Sequence, residues 1–123
     1  MIQLTKNFND EEFKCKCGCG EIKYNLKHIT RLQVLRDYLR KPIIINSAYR
    51  CENHNKAIGG APESRHVQGD ATDIRIEGLE PEILADICEN IFDGIGRYDT
   101  FTHCDSRGKK ARWDMRGGKI GKE

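Results

Sequence analysis

A histidine and an aspartate that could bind one metal ion lie seven residues apart in the chain. Between His66 and Asp73 the chain contains Gly69 and then alternates polar and small residues. The alternation from Asp70 onward predicts a strand, and Gly69 lets the backbone turn so that His66 can fold back toward Asp73. An imidazole and a carboxylate that converge in this way are two of the three protein ligands of a catalytic zinc site.

His103 is the best candidate for the third ligand. It lies on a predicted strand over residues 100–104, and Phe101 and Asp105 flank it at two-residue spacing, so these three side chains share one face. If this strand pairs with the strand of Asp73, His103 can face the other two ligands across the sheet. Two histidines and one carboxylate leave a coordination position open for water, which is typical of catalytic zinc. We therefore expect one catalytic Zn²⁺.

The elements that must position these residues follow from the hydrophobic pattern. Asn25 can begin a helix whose apolar residues recur on one face until Pro42 prevents its continuation. The β-branched run at residues 43–45 predicts a buried strand, residues 46–62 have the composition of a loop, and Pro81 can begin a further helix. This order predicts an α+β fold, a small and mainly antiparallel sheet with two to three helices packed on it.

Length, charge and hydropathy limit the class of protein. A chain of 123 residues is expected to form one domain, residues 1–123, and we expect a monomer. The sequence contains no run of about 18 apolar residues, so no membrane span is predicted. A net charge of +2 is too small to indicate a nucleic-acid partner. The segment from Met1 to Asn7 lacks the apolar core of a secretory signal, so we expect synthesis in the cytoplasm.

The last segment, residues 108–123, is expected to be a basic tail. It is poor in core residues apart from Trp113 and Met115. Such tails are commonly solvated surface, although a basic edge would also attract an anionic polymer such as a cell wall. The basic residues in and just before it are Arg107, Lys109, Lys110, Arg112, Arg116, Lys119 and Lys122.

Cysteines form a second group of residues that could do chemistry. Cys15, Cys17 and Cys19 form a Cys-x-Cys-x-Cys cluster, and three further cysteines are isolated. We favour reduced thiols, since disulfides are uncommon in the cytosol. A structural zinc would need a fourth ligand, and the usual pair of Cys-x-x-Cys knuckles is missing. A metal ion, a disulfide within the cluster and a disulfide to Cys51 therefore stay open.

Several of these segments together resemble a known family. The residues Ser64, His66, Gly69, Ala71 and Asp73 match the signature Ser-x-His-x-x-Gly-x-Ala-x-Asp of the zinc D-Ala-D-Ala metallopeptidases at every fixed position. This family includes D-alanyl-D-alanine carboxypeptidases and dipeptidases, phage endolysins and other peptidoglycan peptidases. The resemblance covers about residues 5–107. The segments similar to its small phage and bacterial members are Phe13 with the cysteine loop, Ser47-Ala48-Tyr49-Arg50, Asn55 with Gly59-Gly60, and Gly94-Ile95-Gly96 with Phe101-Thr102-His103.

The resemblance implies a set of site residues. His66, Asp73 and His103 fall where the family binds zinc. Arg50 ends a Ser-x-Tyr-Arg motif, where the family arginine is thought to hold charge on the substrate or in the transition state. Arginine suits that role because its planar fork binds a carboxylate or a developing oxyanion with two hydrogen bonds. The residues implied to contact the substrate are Tyr49, Arg50 and Ser64.

The implied activity is that of a zinc-dependent metallopeptidase. It would hydrolyse a peptide bond in the stem or the cross-link of peptidoglycan, as a D-Ala-D-Ala carboxypeptidase or as an endolysin-type endopeptidase. Small size and the missing secretory signal favour a phage-encoded enzyme that acts on the bacterial cell wall. The alternative is a binding module of the same fold that keeps the zinc but has little or no activity, as the hedgehog signalling domains, which are similar in fold, are often described.

The general base is where the sequence departs from part of the family. Dipeptidase-type members carry Glu-x-x-His, and Thr100 stands at the glutamate position; other members carry a histidine where this chain has Phe101. The carboxylates that remain nearby are Asp105 and Asp99. Asp105 would either act on the attacking water or orient His103. If neither carboxylate is the base, the chain would bind zinc without efficient peptidase activity.

Overall fold

Residues 1–118, the part of the chain that this computed structural model describes, form an α+β fold, which confirms the predicted class. Four α-helices and five strands are present in that range, together with two 3-10 turns at Asp10–Phe13 and Arg116–Gly118. In chain order the elements are α1 (Leu26–Leu39), β1 (Ile44–Ser47), α2 (Glu52–Ala57), α3 (Arg65–Gln68), β2 (Ala71–Arg75), α4 (Pro81–Cys88), β3 (Gly94–Arg97), β4 (Thr102–Asp105) and β5 (Ala111–Asp114).

The strands form one mainly antiparallel sheet in the order β1-β2-β4-β3-β5. Among the strands of the described residues, only the pairing of β3 with β5 is parallel. Across the central pair, Asp73 on β2 lies opposite His103 on β4, and His103 lies opposite Gly96 on β3. Side chains of directly opposite residues share a face of the sheet. The fold therefore brings Asp73 and His103 together at the centre of the sheet, as the sequence predicted.

The hydrophobic core lies on the other face of the sheet. Successive side chains of a strand alternate between faces, so Ile74 and Cys104 point away from the pair of Asp73 and His103, and both are fully buried. Each fully buried Leu or Ile contributes roughly 1.5–3 kcal/mol, so this core holds in place the sheet that carries the site. The buried members from α1 and α4 are Ile29, Leu32, Leu35, Leu84, Ala85 and Cys88.

The predicted helix boundaries agree with the structure. The Asn25 side chain accepts a hydrogen bond from the backbone N–H of His28 and caps α1. Arg40 ends that helix in the left-handed region with φ of 55°, two residues before Pro42. Pro81 occupies the first turn of α4. Among the described residues, no helix combines the length and the apolar character needed to cross a bilayer.

Two local predictions differ from the structure. Among the described residues, β1 pairs only with β2 and is an edge strand. Of the run at 43–45, predicted to be a buried strand, Ile43 is buried but precedes β1, whereas Ile44 and Ile45 are half-buried. Residues 46–62, expected to be a loop, contain α2. This helix has six residues, too few for a hydrophobic period, and the Cys51 side chain caps it by accepting from the backbone N–H of His54.

The expected basic tail also has more structure than predicted. Residues 111–114 form β5, which pairs with β3 and contributes the largely buried Trp113. Arg112 binds Glu89, and Arg116 binds Asp114, so these arginines are part of the folded domain. Lys119 and Lys122 lie outside the described residues.

Candidate metal centre

Three potential ligand atoms converge on one point. Asp73 Oδ1 lies 3.1 Å from His66 Nε2 and 3.1 Å from His103 Nδ1. These three atoms all lie within 4.8 Å of one another, and all three residues are buried. The structure thus brings together the three residues that the sequence nominated as metal ligands.

His66 is oriented by the helix that carries it. α3 has only four residues; the Ser64 side chain accepts from the backbone N–H of His66 at its start, and Gly69 ends it with φ of +79°. His66 Nδ1 lies 2.7 Å from the carbonyl oxygen of Ala48. A carbonyl oxygen only accepts, so Nδ1 carries the hydrogen of the neutral ring and Nε2 presents its lone pair toward Asp73.

His103 is oriented in the same way by a carboxylate. Its Nε2 donates to Asp105 Oδ2 at 2.8 Å, which leaves the Nδ1 lone pair facing Asp73. Asp105 is fully buried and also accepts from the Arg107 guanidinium, from Nε at 2.9 Å and from Nη2 at 2.7 Å. Asp105 therefore lies on the side of the His103 ring that faces away from the converging atoms.

These atoms fit a cation in their chemistry. With both imidazoles neutral, two nitrogen lone pairs and a carboxylate oxygen face one another with no hydrogen between them. Two nitrogens and one oxygen are a usual donor set for zinc. Without a metal ion, a proton must lie between these facing atoms instead. Burial opposes protonation of His103, but its hydrogen bonds to Asp105 and Asp73 raise its pKa to about 9. Burial opposes ionisation of Asp73, yet the two histidines hold the pKa of this carboxyl well below its usual value.

Arg50 contacts the other oxygen of the aspartate ligand. Its Nη2 donates to Asp73 Oδ2 at 3.4 Å, its Nη1 to Asn55 Oδ1 at 3.2 Å and its Nε to Ser47 Oγ at 3.3 Å. Asn55 donates in turn to the carbonyl of Ala61. A side chain at Gly60 would collide with Asn55, which explains a glycine there. Arg50 therefore leaves Asp73 Oδ1 to the two histidines.

Two glycines of β3 make room for the residues behind His103. A side chain at Gly94 would collide with the Asp105 carboxylate, and a Cβ at Gly96 would lie 2.5 Å from the Trp113 indole. Trp113 packs on the His103 ring with the ring centroids 4.8 Å apart, and the Arg107 guanidinium lies 5.2 Å from the indole centroid. The sequence pattern included these glycines but indicated no role for Trp113 or Arg107. Trp113 reaches His103 only through the pairing of β5 with β3, whereas Arg107 binds Asp105 two residues away in the chain.

The family model for Peptidase M15 matches residues 6–105 of the chain. The chain belongs to this family. The matched range contains His66, Asp73 and His103, and it ends at Asp105, so β5 with Trp113 lies beyond it. Comparison with curated proteins finds no match.

The other nominated residues of this Peptidase M15 member lie in different settings. Ser64 is buried at the start of α3, where it caps the helix. Tyr49 lies on a groove of about 670 Å³ with Cys19, Glu21 and other residues. Asp99 is exposed in the turn between β3 and β4 and accepts from the backbone N–H of Gly117 at 3.1 Å.

His28 shows what a structural histidine looks like in the same M15 family member. It is buried on the core side of β2, where its ring nitrogens lie 2.8 Å from Ser106 Oγ and 3.0 Å from Thr72 Oγ1. Both neighbours are hydroxyls, which can donate or accept, so the ring is satisfied without a cation. Burial lowers the pKa of His28 to about 3. His66 and His103 differ from His28. In each of them one ring nitrogen faces the Asp73 carboxylate, and the hydrogen-bond partner of the other ring nitrogen fixes the tautomer.

Proposed function

We propose that this protein is a zinc-dependent metallopeptidase that hydrolyses a peptide bond in peptidoglycan. The observation that carries the proposal is the convergence of His66 Nε2, Asp73 Oδ1 and His103 Nδ1, with the two histidine tautomers fixed from behind. Membership of the Peptidase M15 family supports a hydrolase with a metal at this point. We further propose peptidoglycan as the substrate, and a phage enzyme that acts on the bacterial wall, because of the resemblance to the peptidoglycan peptidases of this family.

The three converging residues would hold the zinc. A zinc ion with three protein ligands supplies a water of lowered pKa and polarises the scissile carbonyl. Asp105 keeps Nε2 of His103 protonated and therefore keeps Nδ1 available as a ligand. Arg107 holds Asp105 with two hydrogen bonds, which keeps the carboxylate ionised in a buried place.

Arg50 is proposed to serve the substrate as well as Asp73. Its contacts to Asp73, Asn55 and Ser47 use three of the five N–H groups of a guanidinium. The group is thereby fixed in place and can still donate to a carbonyl oxygen or a carboxylate of the substrate. Tyr49, the residue before Arg50 in the chain, lies on the groove and is proposed to contact the same peptide.

Asp105 is proposed to position His103 rather than to act as the general base. Both its oxygens accept from His103 or Arg107, and it lies behind the ring. The other candidate, Asp99, is exposed and bonded to the N–H of Gly117. Because both carboxylates already accept hydrogen bonds within the protein, neither is placed as a general base. This favours a second candidate function, a zinc-binding module that binds the cell wall with little or no hydrolysis.

The first experiment compares zinc content and the release of amino groups from purified peptidoglycan. The wild type should release amino groups, and His66→Ala should lose both the activity and one zinc. His54→Ala, which changes a half-buried histidine on α2, serves as the matched control and should behave as the wild type. Equal activity in His66→Ala would refute the proposal.

A second experiment separates the candidate functions and the two peptidase types. Mass spectrometry of the soluble products would show free D-alanine for a carboxypeptidase and shortened or unlinked stem peptides for an endopeptidase. A protein that pellets with the wall, keeps its zinc and releases no product is the binding module.

A further inference from the structure

Four cysteine thiols form a second cluster away from the candidate metal centre, here called the thiol cluster. Cys15, Cys17 and Cys19 come from the loop before α1, and Cys51 comes from the start of α2. Their four Sγ atoms all lie within 4.8 Å of one another. The chain thus brings a fourth thiol, from more than 30 residues away, to the three that the Cys-x-Cys-x-Cys motif supplies.

The separations of the thiols suit a shared tetrahedral metal ion. Cys17 Sγ lies 3.5 Å from Cys15 Sγ and 3.7 Å from Cys51 Sγ. Four sulfurs about 2.3 Å from one zinc ion stand about 3.8 Å apart at the corners of a tetrahedron. A disulfide would instead bring two sulfurs to about 2.05 Å. All four thiols are free in this structure.

Backbone hydrogen bonds support negative charge on the sulfurs. The N–H of Cys51 donates to Cys15 Sγ, the N–H of His54 to Cys51 Sγ and the N–H of Glu21 to Cys19 Sγ, each at 3.4 Å. Donors aimed at sulfur favour the thiolate, which is the form that binds metal ions. Three of the four sulfurs therefore have a backbone donor in place.

The loop is shaped to present its sulfurs to one centre. Gly18 and Gly20 have φ of 89° and 83°, a region that other residues rarely adopt, and they alternate with the cysteines. An isolated bridge between Lys14 and Ile22 closes the loop, and the N–H of Cys15 donates to the carbonyl of Glu21 at 2.9 Å. The turn is thus held together by its own backbone.

We propose that Cys15, Cys17, Cys19 and Cys51 bind a second zinc ion, a structural tetrathiolate site that joins the cysteine loop to the start of α2. Four protein ligands close the coordination sphere, which is typical of structural rather than catalytic zinc. The sequence alone left this site open because no local motif supplies the fourth ligand.

The second zinc would also fix the segment that borders the candidate metal centre. Cys51 directly follows Arg50, whose guanidinium contacts Asp73 at 3.4 Å. The same groove is lined by Cys19, Tyr49 and Cys51. Loss of the second zinc should therefore lower peptidase activity while the zinc at His66 stays bound. This consequence rests on the proposed function, whereas zinc binding by the thiols does not.

The test measures zinc per chain in the full-length protein and in two sets of variants. Wild type should bind two zinc ions, His66→Ala one, and the double variant Cys17→Ser/Cys19→Ser one. Because Cys17 and Cys19 are exposed, their replacement removes no core packing. Lys16→Ala, an exposed change in the same loop that leaves all four thiols in place, is the control and should keep two.

Cobalt substitution in His66→Ala gives a readout independent of catalysis. The remaining site should show the thiolate-to-cobalt charge-transfer band and the intense visible absorption of a tetrahedral tetrathiolate, and both should vanish when Cys17 and Cys19 are replaced. Two zinc ions retained by the double cysteine variant would overturn the proposal. A His66→Ala protein that contains no zinc would also overturn it. That holds whether the four thiols are reduced, and react with an alkylating agent, or are oxidised to a disulfide.

Discussion

Replacement of Asp105 by asparagine tests how His103 is held. Asp105 is an acceptor only, so it keeps the hydrogen on His103 Nε2. The side-chain amide introduced by Asp105→Asn can donate to Nε2 instead, which would move the ring hydrogen to Nδ1, the atom that faces Asp73. That tautomer has no lone pair to offer a metal at Nδ1.

The expected magnitude follows from the kind of contact that is lost. Replacement of a residue that orients a metal ligand typically costs 10- to 100-fold in metal affinity, or about 1.4–2.7 kcal/mol. Loss of a general base would instead lower the rate by about 100- to 10,000-fold with the metal still bound. We therefore expect zinc affinity at the His66 site to fall by about 10- to 100-fold, and added zinc to restore much of the activity.

The assay is a zinc competition titration, combined with amino-group release at low and at saturating zinc. Asp114→Asn is a closely matched control, because Arg116 binds Asp114 through Nε at 3.0 Å and Nη2 at 2.7 Å, just as Arg107 binds Asp105, but on a different strand. The control should keep its zinc affinity. An Asp105→Asn protein with unchanged zinc affinity and a rate that excess zinc does not restore would refute the positioning role.

Three further predictions concern the elements around the site. Burial lowers the pKa of His28 to about 3, so as the pH falls below about 6.5 this histidine takes up a proton in the unfolded protein before it does so in the folded protein. The free energy of unfolding should therefore drop by up to about 1.4 kcal/mol per pH unit between pH 6.5 and 4. His28→Gln should flatten that slope in denaturant titrations. Gly96→Ala places a Cβ 2.5 Å from the Trp113 indole and should cost about 1–3 kcal/mol in thermal unfolding, whereas an unchanged melting temperature would show that β5 does not pack as described. Arg50→Gln should lower kcat/KM by about 10- to 100-fold with zinc retained, and a change in zinc content alone would show that Arg50 serves only Asp73.

The ligands could be predicted from the sequence because their arrangement depends on local rules. The alternation after Gly69 fixes the face of Asp73, and the spacing around His103 fixes its face on β4. Antiparallel pairing of β2 with β4 then places the two residues opposite each other. The boundaries of α1 and α4 followed from the cap residue Asn25 and from Pro81 for the same local reason.

The parts that the sequence did not predict depend on contacts between distant residues. α2 and α3 are too short to show a hydrophobic period and depend on side-chain caps from Cys51 and Ser64. β5 forms because Gly96 leaves space for Trp113 beside His103. No spacing rule joins residues so far apart.

The role of Asp105 was left open for a related reason. The pattern Asp-x-Arg occurs at Asp105 and again at Asp114, and both aspartates bind their arginine in the same way. Asp105 differs from Asp114 in being fully buried and in contacting His103. The two-residue spacing from His103 therefore indicated a carboxylate near the site, while its position behind the ring came from the fold.

Anomalous diffraction at the zinc absorption edge, from crystals of the zinc-loaded protein, would locate the metal ion directly. We expect a peak about 2.0–2.2 Å from His66 Nε2, Asp73 Oδ1 and His103 Nδ1, with the fourth position free of protein ligands. No peak at that point, or a zinc ion closed off there by a fourth protein ligand, would contradict the assignment of a catalytic metal centre.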